Sequence, residues 1–272
     1  MESGRLDRGD GVELAWRRQP GRGPVVVFLP GFASDMTGSK AETLAAFCAA
    51  HGQAMLRLDY SGHGASGGRF EDGTIGRWTA DALAVIDALT EGQVLVVGSS
   101  MGGWIALNVA LARPARIAAL VGIAAAPDFT EALIWPALDP AQRAELTSRG
   151  VLPLPSEYGS PTPITRALIE DGRHHLRLSA PIPLHCPVRL LHGQQDRDVP
   201  WRTALTLAEW LEAEDVRVVL VKDGDHRLSR PADLALLCRT VGALLGGEDG
   251  GEALAIGGVA PAQAQRFLRS PA

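Results

Sequence analysis

The chain has 272 residues, 46 % hydrophobic and 21 % charged, with a formal charge of −5. That length and composition suit a globular protein with a substantial core, and the charge leaves no electrostatic footprint for nucleic acid. Three cysteines, Cys48, Cys186 and Cys238, stand without metal-ligand spacing, which favours unpaired core thiols in a reducing compartment over a disulfide frame, a metal centre or a cysteine nucleophile.

The opening residues Met1 to Asp10 have no apolar core for a signal peptide, and their three acids argue against a transit peptide. The longest apolar run, Ile117 to Ala126, is too short to cross a bilayer. The expectation is a cytoplasmic protein without a transmembrane segment. Beyond the first residues, β-rich runs alternate with amphipathic segments, the pattern of a mostly parallel sheet flanked by helices. Val25 to Leu29 reads as a strand, Lys40 to His51 as a helix and Ala54 to Leu58 as the next strand. Trp78 to Leu89 continues as a helix, Val94 to Val97 as a strand, a further helix starts near Met101, and Ile117 to Ile123 forms another strand.

From about Pro127 to Pro183 the alternation breaks into a proline-dense stretch with helix-like pieces at Thr130 to Ile134, Pro140 to Arg149 and Thr165 to His175. This stretch reads as an insertion, a small cap, rather than a layer of the sheet. Strand and helix then return as Val188 to Leu191, Arg202 to Leu211, Val216 to Val221 and Ala232 to Leu245. The expected organisation is a single domain over residues 1–246 and a Gly/Ala-rich tail over 247–272.

Within this pattern, Gln93 to Trp104 is an apolar run that ends in Gly98-Ser99-Ser100-Met101-Gly102 and continues into a helix. A sharp turn between a buried strand and a helix presents a serine hydroxyl as a nucleophile. The five-residue pattern occurs twice, since Gly64-Ala65-Ser66-Gly67-Gly68 also fits. Only Ser100 has the strand before and the helix after it. A serine nucleophile needs a base and an orienting acid, which in this type of fold follow in the order Ser, Asp or Glu, His. Asp196 follows the strand that ends near Leu191, and His226 follows the strand that ends at Val221, so all three lie beyond carboxyl ends of strands. Asp198 and Asp225 compete for the acid. His51, His174, His175, His185 and His192 are less suitable bases, because none follows the acid in a strand-end loop. Backbone N–H donors for the developing oxyanion are expected from Met101, directly after the nucleophile, and from Phe32, in the loop after the first predicted strand.

These features together resemble the α/β-hydrolase superfamily from about Val12 to Leu245, with Asp59-Tyr60-Ser61-Gly62-His63-Gly64-Ala65-Ser66 similar to its Asp-x-x-Gly-x-Gly-x-Ser turn. That turn makes Ser66 structural. Pro30-Gly31-Phe32 through Ala41, Gly98 to Trp104 and Cys186 to Gly193 resemble more closely the mitochondrial palmitoyl-protein thioesterases also described as mycophenolic acid acyl-glucuronide esterases. The resemblance implies hydrolysis of acyl thioesters and activated acyl esters, on small molecules or acylated proteins, by Ser100, Asp196 and His226 without metal or cofactor. Pro30 stands where many members of the superfamily have His. Leu133, Trp135 and Tyr158, with Phe129, Ile134 and Leu138, are candidates for an apolar acyl site. Arg143, Arg149, Arg166, Arg173 and Arg177 could meet an anionic leaving group. Two alternatives stay open: an acyltransferase or peptidase with the same triad, and a ligand-binding protein with hydrolase geometry but no turnover.

Overall fold

The computed structural model describes residues 1–156 and 159–246. Strands β1 (Glu2–Asp7), β2 (Glu13–Gln19) and β3 (Arg22–Leu29) lead to helix α1 (Ser39–Ala50), β4 (Gln53–Leu58), α2 (Ile75–Leu89), β5 (Val94–Ser99), α3 (Met101–Ala112) and β6 (Ile117–Ile123). A one-turn π-helix, Thr130–Ile134, then runs into the short α4 (Trp135–Ala137), α5 (Pro140–Arg149), the hairpin β7 (Val151–Ser156) and β8 (Gly159–Thr165), and α6 (Arg166–Arg173). The chain closes with β9 (Val188–Gly193), α7 (Arg202–Trp210), β10 (Val216–Val221) and α8 (Pro231–Leu244).

Eight strands form one sheet in the order β1-β2-β4-β3-β5-β6-β9-β10. From β4 to β10 every neighbour is parallel, whereas β1 and β2 add antiparallel strands at one edge. Parallel strands need crossovers, and helices supply them on both faces. On one face α1 and α8 bring Leu44, Cys48, Leu237 and Val241 against Val26, Met55 and Leu95. On the other, α2 and α3 bring Trp78, Ile86 and Ile105 against Val27, Leu56 and Val96, with Leu207 of α7 in the same core. Each such aliphatic side chain taken from water contributes about 1.5–3 kcal/mol. The central helix α3 is buried from Met101 through Ala110, which explains why its sequence is apolar all round.

Between β6 and β9 the chain leaves the sheet. Its local order comes from caps: Asp139 and Gln142 form a reciprocal capping box at the start of α5, which ends on Gly150 with φ of 77°. Thr165 accepts the Leu168 N–H at the start of α6. The segment has a small core of its own, made by Leu138, Leu146, Leu152, Ile164 and Ile169. Asp128 ties its two ends together, accepting the N–H groups of Arg177 at 2.7 Å and Leu178 at 2.8 Å.

Candidate active site

The turn from β5 into α3 holds Ser100 at φ 54° and ψ −120°, a conformation that costs a residue with a Cβ on the order of 1–3 kcal/mol. Its neighbours keep it there. The Ser100 N–H donates to the Ile123 carbonyl at 2.9 Å, and the Ser100 carbonyl accepts from Gly103 at 2.8 Å. Glycine is required at both ends of the turn: a Cβ on Gly98 would collide with the Gly102 carbonyl, and a Cβ on Gly102 with the Leu29 carbonyl.

Two further loops meet this turn. The loop after β9 carries Asp196 and the loop after β10 carries His226, and the N–H groups of Gln194 and Gln195 join them by donating to Val221 and Gly224, each at 2.8 Å. His226 Nδ1 donates to Asp196 Oδ2 at 2.8 Å, and Ser100 Oγ donates to His226 Nε2 at 3.0 Å. The other acids lie elsewhere in these loops: Asp225 accepts the Leu228 N–H at 2.9 Å, and Asp198 is exposed at the rim.

The Asp196 carboxylate is fully covered. Burial, the largest influence, pushes its pKa up, but hydrogen bonds from His192, His226 and the Val199 amide outweigh it and hold the group well below the usual carboxylate range. Asp196 Oδ1 accepts the amides of Asp198 at 2.9 Å and Val199 at 2.8 Å. His192, set aside in the sequence as a strand-end residue, donates from Nε2 to the same Oδ2 at 3.0 Å and to the Val199 carbonyl at 3.1 Å. Its Nδ1 is buried without a partner among the described residues, and both partners of Nε2 are acceptors, so Nε2 carries a proton. Asp196, Asp198 and His226 present ligand-type atoms within 4.8 Å of one another. A cation there would have to break the His226–Asp196 bond.

The loop after β3 passes beside the serine, so that a Cβ on Gly31 would stand 3.4 Å from Ser100 Cβ. Neither the Phe32 N–H in this loop nor the Met101 N–H at the start of α3 has a protein acceptor among the described residues, and the latter is an unpaired first-turn donor of a helix. A cavity of about 440 Å³ opens over Ser100 and His226. Phe32, Phe129, Leu133 and Ile134 make an apolar wall, and Asp35, Ser39, Lys40 and Arg227 a polar one. Trp135 is not in the lining; its ring meets the guanidinium groups of Arg143 at 5.1 Å and Arg173 at 5.0 Å. Tyr158 lies outside the described residues, as does the tail from residue 247.

None of the five arginines considered as anion partners lines the cavity. Besides the two on Trp135, Arg177 bonds Asn108 and Arg149 pairs with Glu145, while Arg166 pairs with Glu170. The lining lysine is Lys40, whose Nζ donates to the Arg227 carbonyl at 2.6 Å. Burial, reinforced by the positive Arg227 and opposed by Asp225, lowers its pKa to about 8. No periodicity marks His192 or Lys40 in the sequence, because His192 acquires its partners only when the loop after β9 folds back on the strand, and Lys40 only when α1 meets the loop after β10.

The Asp59 to Ser66 turn after β4 has no exposed nucleophile. Ser66 Oγ donates to the Asp59 carbonyl at 2.7 Å and accepts the Ala15 N–H at 2.8 Å, a structural role.

The family model described as serine aminopeptidase, S33, matches residues 22–153. The mitochondrial palmitoyl-protein thioesterase ABHD10 of Bos taurus is 42 % identical over 242 residues, 88 % of this chain and 79 % of that protein. The corresponding protein of Homo sapiens is 40 % identical with the same coverage. Among solved structures, the mouse alpha/beta hydrolase domain-containing protein 10 superposes with a TM-score of 0.83 at 39 % identity, over 90 % of this chain and 99 % of that one. A putative hydrolase from Agrobacterium vitis S4 gives 0.85 at 43 % identity, over 89 % and 97 %. The cytoplasmic location expected from the sequence is overturned by the bovine and human relatives, which carry a mitochondrial designation. The early residues on which that expectation rested form β1, at the edge of the sheet, and so belong to the fold rather than to an address.

Proposed function

Since the chain belongs to the α/β-hydrolase family of the ABHD10 palmitoyl-protein thioesterases and is, with them, a hydrolase of thioesters and esters, we propose that Ser100, His226 and Asp196 carry out this hydrolysis. The observation that supports the assignment most directly is the unbroken hydrogen-bond chain from Ser100 Oγ through His226 to Asp196. In the first half of the cycle His226 Nε2 takes the Ser100 proton as Oγ attacks the acyl carbon, then passes it to the leaving thiol or alcohol. In the second half His226 takes a proton from water, which attacks the acyl-enzyme and releases the acid and Ser100. Asp196 keeps the imidazole oriented with its proton on Nδ1 and stabilises the imidazolium.

The amides of Phe32 and Met101 receive the oxyanion, a contribution of about 100- to 1000-fold in rate for each such donor. The segment between β6 and β9 acts as a cap, and Phe129, Leu133 and Ile134 hold the acyl chain. Acylated proteins and small acyl esters are the substrates in this reading, in keeping with the thioesterase relatives. A transferase or peptidase would use the same acyl-enzyme with another acceptor or leaving group. A purely ligand-binding protein would have no need of a bonded Ser–His–Asp chain.

The test is labelling with a fluorophosphonate probe, with Ser100→Ala as control, followed by turnover of palmitoyl thioesters, p-nitrophenyl esters and an acyl glucuronide. Labelling and hydrolysis that both vanish in Ser100→Ala are expected. Hydrolysis that survives the substitution would refute the assignment of the nucleophile.

A further inference from the structure

The Asp59 to Ser66 turn, which the catalytic cycle leaves unused, touches the loop that carries Phe32. His63 is buried, 3 % exposed, with its ring edge-on to Trp78 at 5.1 Å and near Phe70 at 5.0 Å. Its Nε2 accepts the N–H of Ala33 at 3.2 Å, and its Nδ1 lies 3.2 Å from the Ser61 carbonyl. An amide donor on one side and a carbonyl on the other fix the neutral tautomer with the proton on Nδ1. Burial, partly offset by the Ser61 bond, lowers the pKa of this ring and favours the same neutral form.

Ala33 follows the proposed oxyanion donor directly and sits at φ 52°, a backbone state that must be held by its surroundings. The holding is done from the same turn at two points. His63 takes the Ala33 amide, and Asp59 takes the amides of Met36 at 2.7 Å and Ala65 at 2.8 Å. The Phe32 ring is itself seated on Phe70 at 5.1 Å and Phe129 at 5.6 Å.

We propose that His63 is a positioning residue for the reaction: by accepting the Ala33 amide it fixes the Phe32 N–H at the place where the reacting carbonyl oxygen becomes negative. The proposal rests on the hydrolase reading and on Phe32 as an oxyanion donor. It assigns the glycine-rich turn a part in transition-state binding, through the loop, without contact with substrate.

The test separates the nitrogen from the ring. His63→Phe keeps an aromatic ring in the pocket and removes the acceptor; His63→Gln offers a side-chain oxygen as acceptor. The readouts are kcat and KM on a palmitoyl thioester, affinity for an alkyl trifluoromethyl ketone, affinity for palmitate, and amide exchange over residues 30–36. The ketone carbon takes Ser100 Oγ, the proton passes to His226, and the former carbonyl oxygen becomes the anion, so the adduct reports on the oxyanion donors.

For His63→Phe, kcat and ketone affinity are expected to fall about tenfold, less than the ~100-fold cost of losing a donor itself, with KM and palmitate affinity within about twofold and faster exchange at Ala33. His63→Gln should recover most of the loss. A folded His63→Phe protein with unchanged kcat and unchanged Ala33 exchange overturns the proposal, and so does an equal loss for ketone and palmitate. Exchange at Ala33 needs no turnover, so the clamp is judged even if Ser100 proves not to be the nucleophile. In the unsubstituted protein, ring nitrogen chemical shifts should report the Nδ1–H tautomer of His63; an Nε2–H tautomer overturns the proposal whether or not the variants fold.

Discussion

Asp196 Oδ2 serves two imidazoles at once, His226 at 2.8 Å and His192 at 3.0 Å. A donor on a carboxylate oxygen disperses its charge and leaves less for the other partner. His192 therefore takes part of the charge on Oδ2 and, with the Asp198 and Val199 amides on Oδ1, holds the carboxylate that His226 meets. His192→Leu removes that hold from Oδ2 and leaves the carboxylate fixed by the two amides on Oδ1 and by His226. On the proposed mechanism kcat/KM for a palmitoyl thioester should fall about tenfold in His192→Leu through lost orientation of the carboxylate, with His192→Gln between the two. An unchanged kcat/KM in the folded variant would contradict this account. The sequence order Ser, Asp, His was enough to nominate the three residues that the structure brings into one hydrogen-bond chain. His192 was legible only as the end of a strand, because its partner is created when the loop after β9 folds back on the strand.

Elements divide in the same way between what periodicity reveals and what packing creates. The strands buried on both faces, such as β5 and β6, read as apolar runs, and α2 reads as a helix over Trp78 to Leu89, one turn short of its start at Ile75 behind the Thr74 cap. The antiparallel edge was not visible, since β1 is polar and half exposed and needs no apolar alternation. The hairpin β7–β8 was hidden by its prolines. Pro153 stands opposite Pro163, and the Arg166 N–H to Gly150 bond fixes the ladder so that this pair falls on a position without interstrand hydrogen bonds, where no amide is missed. The π-helical turn before α4 brings Leu133 and Ile134 to the cavity but turns Trp135 away, to its two arginines. If this turn forms the wall of the acyl site, Leu133→Trp will fill part of the 440 Å³. A panel of p-nitrophenyl esters should then show a preference for shorter acyl chains, at least about tenfold against palmitate, with little change for acetate. An unchanged chain-length profile would place the acyl group elsewhere.

At the scale of the whole molecule, the cavity charge is coupled to stability. Lys40 falls from 10.5 to about 8 on folding, so between pH 8 and 10.5 the unfolded chain holds a proton that the folded chain has released. Stability from this group therefore rises with pH across that window, and below pH 8 the fold bears the cost of a covered ammonium. Cys48 acts in the opposite sense, because burial pushes its thiol up to about 12 and the folded state keeps a proton that the unfolded chain loses. Comparing Lys40→Met with the unsubstituted protein isolates the lysine. The variant should be the more stable at pH 7, and its advantage should shrink toward pH 10.5 in urea denaturation; an advantage independent of pH would show that the gain comes from packing instead.

The chain departs from the sheet after Ile123 and rejoins it at Val188, yet β6 and β9 are immediate neighbours, paired from Leu120 with Val188 to Ile123 with Leu191. The two ends of the excursion are thus already side by side before any of it folds. Closing a loop between adjacent anchors costs only about 0.6 kcal/mol more for each doubling of its length, so added length within the excursion carries little cost to the sheet. Insertions can therefore enter its loops while the three strands that lead to Ser100, Asp196 and His226 keep their register; what ties the excursion down are Phe129, Leu168 and Ile182, which it lends to the main core.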